Sequence, residues 1–166
     1  MEIRILKPED AKEYLTIRLE ALQNNPEAFS SSYEEEKKYS IEKYEERFSG
    51  DTSYTIGAFE NNLLVGVISI VREQRVKIYH RTNIYATYVK PENRRHGVAS
   101  KLLESAINKI KEWDGVEQVY LSVVTTNDAA KRLYQNTGFK TYGVDKHALK
   151  VNGQYYDEEL MVLSVR

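Results

Sequence analysis

The spacing of apolar side chains predicts a strand and then two helices in the first third of the chain. Residues 1–6 are typical of a short strand, and apolar positions at helical spacing predict a helix from Pro8 to about Asn25. Ser40 suits the N-cap of a second helix, IEKYEERF, which follows a charged stretch typical of a helix or an ordered loop.

The period then changes to that of strands. The runs TSYTIGAF and LLVGVISIV flank Asn61-Asn62 and predict a β-hairpin. A third strand, IYHRTNIYATYV, follows the polar turn 72–77. Apolar residues at helical spacing predict a helix over about 95–113, which Asp114-Gly115 ends.

The last third of the chain adds strands around one more helix. The run VEQVYLSVV predicts a strand, and Asn127 is placed as the N-cap of the helix that follows. Gly138 suits the position that ends this helix, because a left-handed backbone there favours glycine. Two final strands flank Asn152-Gly153, which is the strongest short signal for a hairpin.

This order of elements defines the expected fold class. A strand, helix, strand, helix, strand core favours an α/β fold, a mixed sheet of about seven strands with about four helices on its two faces. The 166 residues suit a single domain over 1–166, with no linker or repeat. Ligands of such sheets bind at the carboxyl ends of the strands, where the crossover helices begin.

Composition excludes several classes of function. The net charge of −1 argues against a nucleic-acid binder, and the absence of cysteine excludes disulfides and a cysteine nucleophile. His80, His96 and His147 share no metal-ligand spacing, so no metal site is expected. The N-terminus does not resemble a signal peptide and no apolar run is long enough to cross a membrane, so a cytoplasmic protein without a membrane partner is expected by default.

One stretch nevertheless concentrates positive charge. PENRRHGVASKLL, residues 91–103, places Arg94, Arg95 and a single glycine where a strand gives way to a helix. Unpaired amides and the helix dipole at such a position favour an anion such as a phosphate. One glycine satisfies neither GxxxxGK[ST] nor GxGxxG, so both common nucleotide motifs are excluded. From spacing alone, a phosphate site and a basic turn facing solvent remain equally good interpretations.

Two motifs in order resemble a known family. RRHGVA, residues 94–99, resembles the [QR]-x-x-G-x-[GA] loop of the GNAT family of acyl-CoA N-acyltransferases. NDAAKRLYQNTGF, residues 127–139, resembles the N-x-x-A-x-x-L-Y-x-x-x-G-F segment of the same family. The close resemblance runs from about residue 80 to residue 139, and the two ends of the chain resemble GNAT termini more loosely.

The resemblance implies acetyl-CoA as co-substrate and assigns a role to several residues. The amides of 95–100 would hold the pyrophosphate, the end of the preceding strand would pair with pantetheine, and Arg94 and Arg95 would supply counter-charge. The residues that the resemblance places at the cofactor are Tyr88, Val89, Arg94, Arg95, His96, Gly97, Val98, Ala99, Ser100, Asn127 and Lys131.

The resemblance also implies a direct attack of an amine on the thioester, with Tyr134 as proton donor to the departing sulfur. Many family members carry a glutamate on the strand before the loop, and IYATYV has none. Tyr85, Tyr88, a water relay, Glu34 or Asp157 are alternatives for the base. The run Glu34-Glu35-Glu36 would favour cationic acceptors if it lined the acceptor cleft.

Three functions are therefore compatible with the sequence. The first is an acetyl-CoA-dependent N-acetyltransferase acting on a small-molecule or peptide amine. The alternatives are a non-catalytic acyl-CoA-binding sensor, favoured by the missing strand glutamate, and a phosphate-dependent nucleotide binder. The acceptor amine is not identified by any motif, and the resemblance allows a homodimer.

Overall fold

A computed structural model describes all 166 residues. The seven strands β1 to β7 are Glu2–Ile5, Ser53–Glu60, Leu63–Arg72, Arg81–Val89, Gln118–Val124, Lys140–Val151 and Gln154–Ser164. The five helices α1 to α5 are Ala11–Asn24, Tyr33–Glu36, Ile41–Arg47, Val98–Lys111 and Asp128–Thr137. None of these helices combines the length and the apolar character that crossing a membrane would require.

All seven strands form one mixed sheet in the order β1-β2-β3-β4-β5-β7-β6. Neighbours are antiparallel except β4 and β5, which are parallel and joined through α4. The predicted mixed sheet of seven strands is confirmed. The order of the last two strands is reversed relative to the chain, because β7 lies between β5 and β6.

Both predicted hairpin turns are confirmed by their backbone. Asn61 and Asn62 have φ of 49° and 65°, and Asn152 and Gly153 have φ of 50° and 77°. Two consecutive positive φ angles define the turn whose twist matches that of paired strands, and asparagine and glycine tolerate them best.

Several predicted boundaries differ from those observed. Of the two alternatives for the charged stretch, helix or ordered loop, residues 33–36 form a helix, the short α2, which brings the expected count of about four helices to five. The strand expected to begin at residue 78 begins at Arg81, after a 3₁₀ turn at 76–78. The helix expected over 95–113 covers Val98–Lys111, because positive φ at Arg95 and Gly97 interrupts helical geometry before it begins.

The helices pack on both faces of the sheet and bury two apolar clusters. One cluster joins α4 and α5 to the sheet through residues such as Leu102, Ile110 and Tyr134. The other joins α1 and α3 to the opposite face through Tyr14, Ile17 and Tyr44. Side chains alternate between the faces of a strand, so β2, β3 and β4 contribute to both clusters.

Candidate active site

The two parallel strands separate at their carboxyl ends and leave a gap. β4 and β5 are paired only from Arg81–Gln118 to Asn83–Tyr120, although β4 continues to Val89 and β5 to Val124. A crevice at the carboxyl ends of strands is where ligands bind in open α/β sheets. The gap is therefore the candidate site, and β4, β5 and the start of α4 form its border.

A bulge in β4 causes this separation. The register with β3 shifts between Ser69–Tyr85 and Val67–Tyr88, so β4 carries one extra residue there. Ala86 within the bulge has φ of 55°, a left-handed conformation that is uncommon for a residue other than glycine. Bulges bend and twist the strand that contains them, which directs the end of β4 away from β5.

The register fixes which backbone groups face the gap. Lys90 donates its amide to the Val65 carbonyl at 2.9 Å, so its backbone faces β3. Alternation then directs the amide and carbonyl of Val89 away from β3 and into the gap, whereas those of Tyr88 face Val67. Of the two residues predicted to pair with pantetheine, Val89 has its amide on the open edge.

The segment between β4 and α4 offers a row of unpaired donors. We call residues 94–100 the anion loop. The six amides of 95–100 donate no hydrogen bond to any protein acceptor. Arg95 and Gly97 have φ of 65° and 77°, and successive amides around left-handed residues form a concave anion site. The amino end of α4 adds its dipole at the same point.

The two arginines of the anion loop are placed differently. Arg94, Arg95 and His96 are all exposed, and the side chains of Arg95 and His96 make no hydrogen bond or ion pair. Arg94 instead donates from Nε to the Val89 carbonyl at 2.8 Å and from Nη2 to Oδ1 of Asn25 at 3.2 Å. Its amide donates to the Pro91 carbonyl at 3.3 Å, so much of its donor capacity is used within the protein.

The predicted proton donor lies in the apolar cluster that borders the gap. Tyr134 is only 6% exposed and packs edge-on against Phe139, with ring centres 5.7 Å apart. Burial raises the pKa of the Tyr134 hydroxyl, and the side chain of Thr87 in the β4 bulge opposes that shift. The phenol is therefore protonated at neutral pH and available to donate. Thr87 was not predicted, because nothing in the sequence marks the bulge that brings it to Tyr134.

The remaining predicted cofactor residues of α5 have partners within the protein. Oδ1 of Asn127 accepts from the Ala130 amide at 3.2 Å, which confirms its role as N-cap. Nζ of Lys131 lies 3.0 Å from Glu159 and donates to the Thr125 carbonyl at 3.2 Å. The charge of Lys131 is thus balanced by a carboxylate of β7.

None of the residues proposed for the base is a free carboxylate. Glu34 is exposed and paired with Lys37. Asp157 accepts from the His147 amide and pairs with Lys146, contacts that lower its pKa. The side chains of the run Glu34-Glu35-Glu36 do not share one environment, since Glu36 is buried and accepts a hydrogen bond from Arg18.

The two tyrosines considered as bases are protonated at neutral pH. Burial, followed by the nearby Glu73 carboxylate, raises the pKa of Tyr85. Burial also raises the pKa of Tyr88, whose hydroxyl accepts a hydrogen bond from Asn24 at 3.2 Å. A hydroxyl that stays protonated does not accept the proton of an amine.

Two carboxylates of the structure, those of Glu158 and Glu20, are not among the site residues predicted from the sequence. Glu158 lies on β7 opposite Val124, the last residue of β5. It makes no ion pair, and burial together with the cross-strand carboxylate of Asp145 raises its pKa. Because Met161 faces the α4 cluster, alternation places Glu158 on the face that α1 covers. On α1, Oε2 of Glu20 is buried without a partner.

Comparison with known proteins identifies the family. The family model described as "Acetyltransferase (GNAT) family" matches residues 18–139. An acetyltransferase of the GNAT family from Streptococcus pneumoniae superposes with a TM-score of 0.89 at 26% identity, covering 99% of both chains. A putative acetyltransferase from Salmonella typhimurium, determined with acetyl-CoA, shares the fold at a TM-score of 0.87, with 18% identity over 100% of this chain and 94% of that one.

Relatives in sequence differ in the acceptors that their names state. A mycothiol acetyltransferase from Brachybacterium faecium is 35% identical over 57% of this chain and 28% of its own length. A spermidine N(1)-acetyltransferase from Vibrio cholerae is 23% identical over 84% of this chain and 82% of its own length. This chain spans less than two thirds of the first two relatives, 28% and 60% of their lengths.

Proposed function

The chain belongs to the acetyltransferase (GNAT) family, and on that premise we propose that it transfers the acetyl group of acetyl-CoA to a primary amine. The observation that carries this proposal is the row of six unpaired amides, 95–100, at the end of a strand whose edge is open. A diphosphate needs several converging donors, and the adjacent pantetheine arm needs an extended edge with which to pair. The anion loop and the free edge of β4 supply both side by side.

The residues around the gap suit the parts of acetyl-CoA. The amides of 95–100 would hold the pyrophosphate, with Arg95 as the exposed counter-charge. The amide of Val89 faces the gap and would bond the pantetheine arm or the thioester oxygen. One donor aimed at a developing oxyanion is worth roughly 10²–10³ in rate.

The chemistry follows from these positions. Acetyl-CoA supplies an acetyl thioester whose carbonyl carbon is attacked by the amine nitrogen as the carbon–sulfur bond breaks. Tyr134 holds a proton in the apolar wall beside the gap and would deliver it to the departing sulfur. A thiolate with a pKa near 8.5 is a fair leaving group, so this proton accelerates the reaction without being essential. No cysteine is present to carry a covalent acetyl group, which favours direct transfer.

The amine must lose a proton before it attacks. A lysine-like ammonium with a pKa near 10.4 needs roughly 4–5 kcal/mol to reach its neutral form at pH 7. Glu158 suits the role of base, directly or through water, because its pKa is raised and no cation neutralises it. Its place on the α1 face puts it on the side opposite Tyr134.

Release of CoA thiol tests the proposal, measured with a panel of polyamines, amino acids, aminoglycosides and peptides. Transfer to at least one amine is expected. Tyr134→Phe should lower kcat by roughly 10–100-fold, near the low end for general acid catalysis. Tight acetyl-CoA binding without turnover on any amine would instead identify an acyl-CoA sensor, and stronger binding of ATP than of acetyl-CoA would identify a nucleotide binder.

A further inference from the structure

Arg94 connects three parts of the site that are far apart in sequence. From the anion loop, its Nε bonds the Val89 carbonyl at the end of β4, and its Nη2 bonds Asn25 at the end of α1. The guanidinium carbon also lies 5.5 Å from the centre of the Tyr88 ring. The Tyr88 hydroxyl in turn accepts from Asn24 at 3.2 Å. The last residue of α1, Asn24, and the residue that follows it, Asn25, are thus attached to the border of the gap.

The segment attached in this way crosses the gap. We call residues 24–28 the acceptor wall. Asn24 and Asn25 are held over β4 by Tyr88 and Arg94, and the 3₁₀ turn 26–28 that follows contacts β5 and β6. The acceptor wall therefore extends from one side of the separated strands to the other, on the face where Glu20 and Glu158 lie. An amine approaching the thioester from that face would meet it.

The same contacts argue against a simple counter-charge role for Arg94. Two donor positions of its guanidinium and its own amide are directed at protein acceptors. Both arginines are exposed and carry the same charge, but Arg95 has no protein partner, so its whole guanidinium is free to meet a phosphate. Both arginines thus reach solvent, and only Arg94 is also hydrogen-bonded to the protein.

We propose that Arg94 is a positioning residue that couples acetyl-CoA binding in the anion loop to the conformation of the acceptor wall. This rests on the proposed function, since the acceptor is the amine of that reaction. Cofactor that orders the anion loop fixes Arg94, and Arg94 then fixes Asn25 and the wall. Such coupling is reciprocal, so a bound amine strengthens acetyl-CoA binding by the same factor.

A double-mutant cycle on Arg94 and Asn25 measures this coupling. Arg94→Gln and Asn25→Ala should each raise KM for the amine by roughly 5–20-fold at saturating acetyl-CoA, the weak end of the range for a hydrogen bond to a charged group, because this bond is exposed to solvent. The double variant should have a KM for the amine no higher than that of the more impaired single variant. Asn25→Asp, which keeps an acceptor for the guanidinium, should retain the coupling when Arg94 is present and lose it with Arg94→Gln.

Arg95→Gln is the matched control, because it removes the same charge one residue away. It should weaken acetyl-CoA binding in a salt-dependent way and leave KM for the amine unchanged. Equal effects of Arg94→Gln and Arg95→Gln on acetyl-CoA, with additive effects of the Arg94 and Asn25 substitutions on the amine, would overturn the proposal.

Hydrogen exchange separates this inference from the proposed function. Addition of CoA should slow exchange of the amides in residues 24–28 of the wild-type protein and of Arg95→Gln, but not of Arg94→Gln. This readout needs no turnover. A protein that acetylates no amine would refute the proposed function, but the effect of CoA on residues 24–28 could still be measured. CoA that protects the anion loop but leaves residues 24–28 unchanged in the wild type would overturn the coupling itself.

Discussion

Replacing Gly97 by alanine tests whether the anion loop depends on its left-handed backbone. Gly97 has φ of 77°, and an added Cβ would meet no atom within 4 Å, so the cost is conformational and not steric. A left-handed residue other than glycine costs about 1–2 kcal/mol. The amides on either side have no protein partner, and Gly97 is held only through its carbonyl, which accepts from the Lys101 amide at 3.1 Å. The free loop should therefore relax, and the cost should appear when acetyl-CoA is bound.

At 1.4 kcal/mol for each factor of ten, this strain corresponds to a rise of roughly 5–30-fold in KM for acetyl-CoA. The kcat at saturating acetyl-CoA should stay near the wild-type value, because the lost interaction is the same in ground state and transition state. The assay is CoA release at varied acetyl-CoA, combined with the free energy of unfolding from denaturant titration.

Gly153→Ala is the matched control for this prediction. Gly153 also has φ of 77° with no atom within 4 Å of an added Cβ, but it lies in the hairpin turn between β6 and β7. Strand pairing holds that turn, so its strain should lower the free energy of unfolding by about 1–2 kcal/mol and leave KM for acetyl-CoA unchanged. If Gly97→Ala instead lowered stability to the same extent and left KM unchanged, the anion loop would not be the cofactor site.

Three further predictions concern the supports of the site. Gly66→Ala would bring a Cβ to 3.1 Å from Leu102 and 3.2 Å from Val98, the first residue of α4, so it should displace the anion loop, raise KM for acetyl-CoA and cost about 1–3 kcal/mol in denaturant titration. Glu158→Gln should lower kcat/KM by roughly 10²-fold or more and remove the acidic limb of its pH profile, because the raised pKa of Glu158 makes activity increase with pH as it ionises; an unchanged limb would exclude it as the base. Glu36→Gln should cost about 3–5 kcal/mol at pH 7 by leaving Arg18 buried and unpaired. Burial would raise the pKa of Glu36, but the bonds from Arg18 lower it overall, so this stability is present above the unfolded pKa and is lost as pH falls through the folded pKa. Glu36→Gln and the wild type should therefore converge in acid, and a constant difference from pH 7 to pH 3 would contradict this.

Features set by local chemistry could be predicted from the sequence. The turns at Asn61-Asn62 and Asn152-Gly153, the cap at Asn127 and the end of α5 at Gly138 all follow from residues a few positions apart. The two family motifs carried the rest of the prediction, because their spacing places a loop and a tyrosine-bearing helix at neighbouring strand ends. Local signals of this kind do not depend on how distant elements pack.

Features set by packing could not be predicted. The β4 bulge centres on Ala86, a residue that gives no sign of a positive φ. Arg94 meets Asn25 across 69 residues, so its role as a bridge has no local signature. Glu158 becomes a candidate base only because β7 lies beside β5, a strand order that the chain order does not suggest. The predicted helix start at Arg95 precedes the observed start at Val98, because Arg95 and Gly97 in the anion loop do not have helical backbone angles.

In the proposed function, the amides of residues 95–100 hold acetyl-CoA beside the open edge of β4. Amide NMR during titration with acetyl-CoA tests it residue by residue. The largest shifts are expected at the six amides of 95–100 and at Val89, at concentrations where ATP produces little change. Binding of acetyl-CoA that left those amides unshifted, or equal shifts with ATP, would show that this loop is not the acetyl-CoA site.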